Sequence, residues 1–374
     1  MMIPVVVLAF AMSLLLTACG EAFEEAAPDP TVTDQQTTPA EDAPAEETPA
    51  ETPATETESE ESPDETAAQA SCADLQFEGD SATVAYMPPA TEFPYYIAIE
   101  TGIEARAEEL GHEVFTLAPP SDDVETQIGM LQDVLLRGVD AVILSTHDEQ
   151  AAAPLVQQIT DEGIAVVIVN SDIADFPTAI HAVVGYVQRA GTHKLGEYTL
   201  EQYGSDHTIG LIEGLPGYHS TERIGGFVDA IEGVEGMEVV ASVPGGWNVE
   251  GGNQAATDML QANPDITMIM TANDYMSIGA NIAATSLGME DVIILGNDGD
   301  TQGLEEIHAG EWEATVMTFP FDMGETTMQV VHDCLTGELD QFFHEIPTEV
   351  VSQDNAIEFL QQPERLYPPP SQEY

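Results

Sequence analysis

From residue 82 onward the chain alternates without a break between short β-branched runs and amphipathic segments, separated by Gly or Asp/Asn turns. This rhythm confines it to parallel α/β architecture. The runs that read as strands are 82–88, 113–118, 140–146, 164–171, 181–186, 207–214, 237–243, 266–272, 291–297 and 313–319. Between them, segments such as 123–137 place Val124, Ile128, Leu131 and Leu135 at helical spacing on one face, which marks core. These strands are too many for one small open sheet, and the pattern renews itself after about residue 186. The expected fold is two similar doubly wound parallel-sheet domains with a hinge between them.

In such sheets ligands bind beyond the carboxyl ends of the strands. Polar groups collect at those ends here: Ser145-Thr146-His147-Asp148, Asn170-Ser171-Asp172, Asn273-Asp274 and Asn297-Asp298-Gly299. Phe93, Tyr95 and Tyr96 follow the first strand and Trp247 follows the seventh. Flat rings beside amides and carboxylates suit a polyhydroxylated ring, whose C–H faces stack while its hydroxyls take directed hydrogen bonds. Asp274 also reads as the N-cap of the helix YMSIGANIAA, and Asp148 as a cap of its own helix. Arg223 reads as a structural ion-pair partner. His147 and His219 lie near the expected cleft as possible donors.

Composition excludes several functions. With 68 acidic against 6 basic side chains the formal charge is −62, and the six basic residues are scattered, so no stripe for nucleic acid forms. The acids run through every segment, as on a protein working in high salt; a trap for cationic ligands fits the same count. The nine histidines are dispersed with no pair on one helical face, and there is no nucleophile elbow, P-loop or dinucleotide fingerprint. Metal chemistry, a cofactor and catalysis are not indicated.

The amino-terminal region is of another kind. Residues 3–18, IPVVVLAFAMSLLLTA, read as a secretory signal, although the usual basic start is missing. The run Leu16-Thr17-Ala18-Cys19 resembles a bacterial lipobox, which implies cleavage after residue 18 and lipid on Cys19; a simple signal with an incidental cysteine is the alternative. Residues 19–70, rich in Glu, Pro, Thr and Ala, are expected to be a disordered acidic linker. Its end-to-end distance would be at least roughly 40 Å, and a glycosylated stalk fits its Thr/Pro content as well. Of the three cysteines, Cys72 and Cys334 remain to form one disulfide.

Taken in order, the stretches FPYYIAIETGIEARAEELGHEV, QIGMLQDVLLRGVDAVIL, ERIGGF, TANDYMSIGANIAA, ILGNDGD and AGEWEATV make residues 82–352 resemble the periplasmic sugar-binding proteins of the ribose-binding type, solute receptors of ABC importers. The resemblance implies a type I periplasmic-binding fold whose lobes are 82–185 plus 319–343 and 186–318 plus 344–360, with a tail at 361–374 and hinges at 186–187, 318–320 and about 343–347. It places ligand-stacking rings at Tyr95, Tyr96 and Trp247, the amide ligand at Asn273 and the key aspartate at Asp298, where Asn297 replaces the family's aromatic. The family's Asp-Arg pair falls on Asn170-Ser171, with Asp172 as a substitute acceptor; a second arginine falls near Thr221, and a late glutamine on Thr318. Phe93, Ser145, Asp148 and His219 complete the expected surroundings.

Without either family arginine the cleft would lack a guanidinium to fix sugar oxygens in a plane. A neutral sugar or polyol is expected, and an amine-bearing solute fits an acidic aromatic cleft too. The expected protein is a monomeric, lipid-anchored, extracytoplasmic receptor that presents its ligand to an ABC permease and performs no reaction. A sensory receptor of the same fold, signalling to a membrane kinase, is the competing expectation.

Overall fold

The computed structural model describes residues 69–374, and these form two α/β lobes. The signal, the lipidation at Cys19 and nearly all of the linker lie outside the described residues. The first lobe is built on a six-stranded sheet in the order β11-β5-β4-β3-β1-β2, all parallel. Its strands are β1 (Thr83–Met87), β2 (Glu113–Thr116), β3 (Ala141–Leu144), β4 (Ala165–Val169), β5 (Ala182–Gly185) and β11 (Phe343–Glu345). The helices around it are α1 (Pro94–Leu110), α2 (Val124–Arg137), α3 (Glu149–Asp161) and α9 (Pro320–Thr336).

The second lobe repeats the plan in the order β12-β10-β9-β8-β6-β7, parallel except where β12 runs against β10. Here the strands are β6 (His207–Glu213), β7 (Met237–Pro244), β8 (Met268–Thr271), β9 (Ile293–Leu295), β10 (Ala314–Met317) and β12 (Glu349–Ser352). The helices are α4 (Gln188–Tyr203), α5 (Tyr218–Ile231), α6 (Val249–Ala262), α7 (Asp274–Leu287), α8 (Thr301–Ala309) and the short α10 (Ala356–Leu360).

The central strands are apolar on both faces: AVIL in β3 and AVVIV in β4 are buried throughout, as sheets covered by helices on both sides require. Helices α1 and α9 close on each other through small residues. A Cβ on Gly102 would sit 2.0 Å from the Phe321 carbonyl, and one on Gly324 would sit 2.0 Å from the Ile99 carbonyl, so neither position admits a side chain.

Two strands escape the sequence reading. β11 and β12 are short and half exposed, so neither carries an apolar pattern. The pairing of β11 with β5 also corrects the third lobe boundary: residues 344–345 belong to the first sheet, and the chain crosses between Glu345 and Glu349. The other crossings follow Gly185 and Met317. Cys72 and Cys334 are bonded, fastening the entering segment to α9. The tail is docked: the Arg365 guanidinium pairs with Asp322 at the start of α9, and the Ser371 amide donates to Glu305 on α8 at 2.5 Å. No described helix is long and apolar enough to cross a membrane.

Candidate functional site

In both sheets the strand order reverses direction beside the first strand of the lobe, between β1 and β3 and between β6 and β8. Loops leave in opposite directions there and open a crevice. The two crevices face each other across a cavity of about 30 Å³.

The first lobe lines it with the entry to α1. Pro94 opens this helix, and the backbone of Phe93 stays extended, so Tyr95 and Tyr96 fall in the first turn at the end of β1. The two rings meet edge to face at 5.6 Å. Tyr95 donates to Asn170 Oδ1 at 3.1 Å and lies 2.9 Å from Thr318 Oγ1, while Tyr96 accepts from Ser145 Oγ at 3.2 Å and Asn170 Nδ2 at 3.3 Å. Asn170 holds φ at 62°, a left-handed conformation that Asn tolerates better than most residues. Burial pushes both phenols up, so they stay neutral hydroxyls. His147 closes this side, its Nδ1 2.8 Å from Asp122 Oδ2.

The second lobe supplies charge. Arg223 on α5 is 4% exposed and donates through Nη1 to Asp298 Oδ1 at 2.9 Å and to the Ala272 carbonyl at 3.1 Å, and through Nε to Gln188 Oε1 at 3.1 Å. Its guanidinium lies 5.4 Å from the Trp247 ring and 5.8 Å from the Tyr186 ring, within cation–π range of both. Burial works against the arginine's charge, but Asp298 and the surrounding tyrosines outweigh it and raise its pKa. Burial pushes Asp298 up to about 6, with Arg223 pulling the other way. Burial, helped by Arg223 and His147, keeps His219 well below the usual imidazole range and therefore neutral. The cavity wall thus holds the buried Arg223–Asp298 ion pair beside the neutral Tyr95, Tyr96 and His219.

Trp247 has φ at 65° and Asp298 has φ at 132°, both unusual for residues with a Cβ. Strain of this kind persists where the surroundings hold a side chain to a task. The Trp247 indole lies against Gly214, where a Cβ would stand 1.9 Å from the ring, and its carbonyl accepts from Asn273 Nδ2 at 3.2 Å. The lobes touch across the cleft: the His147 and Trp247 rings stack at 6.0 Å, and Tyr218 donates to Asp172 at 3.2 Å.

Of the expected residues, Phe93, Tyr95, Tyr96, Asn170, His219, Trp247, Asn273 and Asp298 line the cavity. Ser145 and Thr318 sit behind the tyrosines and orient them. Three others do not face the cavity. Asp172 is turned to the hinge, accepting from the Gln188 amide at 3.2 Å and from Tyr218. Asp148 is exposed and caps α3 through the Ala151 amide. Thr221 is exposed and bonds back to the Gly217 carbonyl.

The expected loss of both guanidinium groups is also corrected. Residues 221 and 223 lie about 200° apart around an α-helix, so with Thr221 facing solvent Arg223 faces the cleft. Asp274 is not the N-cap either. Asn273 caps α7 through the Met276 amide, and Asp274 is buried, accepting from the Gly299 and Asp300 amides and the Thr315 hydroxyl. Tyr275 lines the cavity and was not foreseen; its place directly after the Asn273-Asp274 pair was the available signal. Among the described residues no group of His, Cys, Asp and Glu is placed to hold a metal ion.

A family profile described as a periplasmic binding protein domain matches residues 84–339. The D-ribose/D-allose-binding protein of Pseudomonas aeruginosa is 29% identical over 204 residues, 52% of this chain and 63% of that protein. The chain thus spans somewhat less than two thirds of that relative's length. The ribose import binding protein of Escherichia coli is 23% identical over 270 residues, 72% of this chain and 90% of that protein. Among solved structures, the Caulobacter myo-inositol binding protein bound to myo-inositol superposes with a TM-score of 0.69 at 24% identity, covering 76% of this chain and 97% of that one. An ABC transporter solute binding protein from Mycobacterium smegmatis with bound glycerol gives 0.70 at 24% identity, covering 74% and 96%. With two lobes, three crossings and a cavity at the paired switch points, the chain belongs to the periplasmic binding protein family.

Proposed function

We propose that this chain is the extracytoplasmic receptor of an ABC importer, that it captures a small neutral sugar or polyol between its lobes, and that it acts by binding alone. The observation that carries the ligand class is the Arg223–Asp298 pair set in the cavity wall among Tyr95, Tyr96 and Trp247. Paired in this way, the guanidinium offers donors and the carboxylate acceptors to vicinal hydroxyls, while the site's net charge stays near zero. The rings offer apolar faces to the C–H side of a sugar. An amine-bearing solute is less well served, because Asp148 and Asp172 face away from the cavity and the carboxylate that lines it, Asp298, already has a cation.

Contacts from both lobes to one ligand stabilise the closed arrangement over an open one, and that difference is the mechanism. Relatives named for ribose and allose, and solved neighbours holding inositol and glycerol, support the same class. Delivery to a permease rests on the family, and attachment through lipid at Cys19 rests on the sequence Leu16-Thr17-Ala18-Cys19.

The test is a thermal-shift screen at high salt with D-ribose, D-allose, D-glucose, D-galactose, myo-inositol, glucosamine and choline. A ligand that binds only the folded state raises the melting temperature by mass action. A shift with a neutral compound that disappears in Asp298→Ala supports the reading. A shift with choline or glucosamine alone overturns the ligand class, and an unchanged shift in Asp298→Ala overturns the site.

A further inference from the structure

Beyond the cavity, the cleft mouth holds a second space of about 440 Å³ between the two lobes. Phe93, Trp247 and Tyr275 wall both spaces, so one set of rings runs from the enclosed cavity to the mouth. The outer walls add Glu92 and Asp122 from the first lobe and Glu250 from the second, and no lysine or arginine lines this space. Asp122 is held in place: its amide donates to Glu92 Oε1 at 3.3 Å and its carboxylate meets His147.

We propose that the mouth is a second sugar subsite, so that the preferred ligand is a disaccharide or glycoside whose first ring fills the cavity. This deepens the receptor reading above and rests on it. Ionised carboxylates only accept hydrogen bonds, so Glu92, Asp122 and Glu250 select an extension rich in donors and reject one that carries negative charge. A hydroxylated ring meets both demands. Its C–H face can lie on the outer sides of Phe93 and Tyr275. The same acidic rim disfavours uronic acids and sugar phosphates as extensions.

The experiment is isothermal titration of the purified chain with matched pairs: D-glucose against maltose and cellobiose, and D-galactose against lactose and melibiose. The extended member of one pair is expected to bind at least tenfold tighter than its monosaccharide. In Glu250→Trp, which fills the mouth from an exposed position on α6, that advantage should vanish while monosaccharide affinity stays within twofold. Monosaccharide binding with no tighter extended ligand, or an advantage untouched by Glu250→Trp, overturns the second subsite and leaves the receptor reading standing. No binding by either member of any pair removes both.

Discussion

Replacing Arg223 by Ala leaves the Asp298 carboxylate buried with the Asn297 amide as its remaining side-chain donor, whereas removing Asp298 leaves the guanidinium with the Ala272 carbonyl and Gln188 Oε1. Breaking a buried pair by removing one member costs about 3–5 kcal/mol, and the stranded charge with fewer partners belongs at the upper end. Asp298→Gly also releases the strain of the φ near 132°, about 1–3 kcal/mol for such conformations, so its net loss should be about 2 kcal/mol or less. Arg223→Ala should therefore melt on the order of 10 °C below the parent, and Asp298→Gly only a few degrees below.

The pH dependence has a definite sign. Asp298 stands at about 6 with the guanidinium beside it, and it rises further without it. A carboxyl whose folded pKa exceeds its unfolded value near 3.9 makes the folded state the tighter proton binder. Stability is then lost as pH climbs from about 4 through the folded pKa. Arg223→Ala should be more impaired at pH 7 than at pH 5. Scanning calorimetry at both values is the assay. A smaller loss in Arg223→Ala than in Asp298→Gly, or a loss that grows toward pH 5, would refute the reasoning.

Two other substitutions probe the frame of the site. Gly214→Ala puts a methyl group where the Trp247 ring lies, 1.9 Å away, so ligand affinity should fall at least tenfold while near-neutral surface substitutions leave it unchanged; titration with the sugar found in the thermal screen checks this. Replacing Cys72 and Cys334 together by Ser opens a link between residues 262 positions apart and should cost about 2–5 kcal/mol, read by urea unfolding, with ligand affinity at low denaturant unchanged.

The fold was legible because parallel strands buried on both faces are continuous apolar runs, as in β3, β4 and β8, and nothing else of that length imitates them once helices alternate between them. β11 and β12 were not, since three or four half-exposed residues owe their pairing to neighbours distant in sequence. Within the site, the aromatic residues and the short amides after strands could be read from position. What could not be read was direction. Asp148, Asp172 and Asn273 are all polar residues just past a strand, yet one caps a helix in solvent, one braces the hinge, and one both caps its helix and lines the cavity. Arg223 was passed over in favour of Thr221 because a shift of two residues along a helix changes the face without changing the motif. The left-handed backbones of Trp247 and Asp298 leave no mark on a sequence, since glycine is the usual sign of such a turn and neither is glycine.

The docked tail has a mechanical consequence. Arg365 grips Asp322 a few residues after the second crossing, while Ser371 and Tyr374 hold Glu305 on the second lobe. Held at both ends, the tail opposes displacement of one lobe against the other. Beside the three chain crossings it is a further strap between the lobes, closed by noncovalent contacts rather than by the backbone.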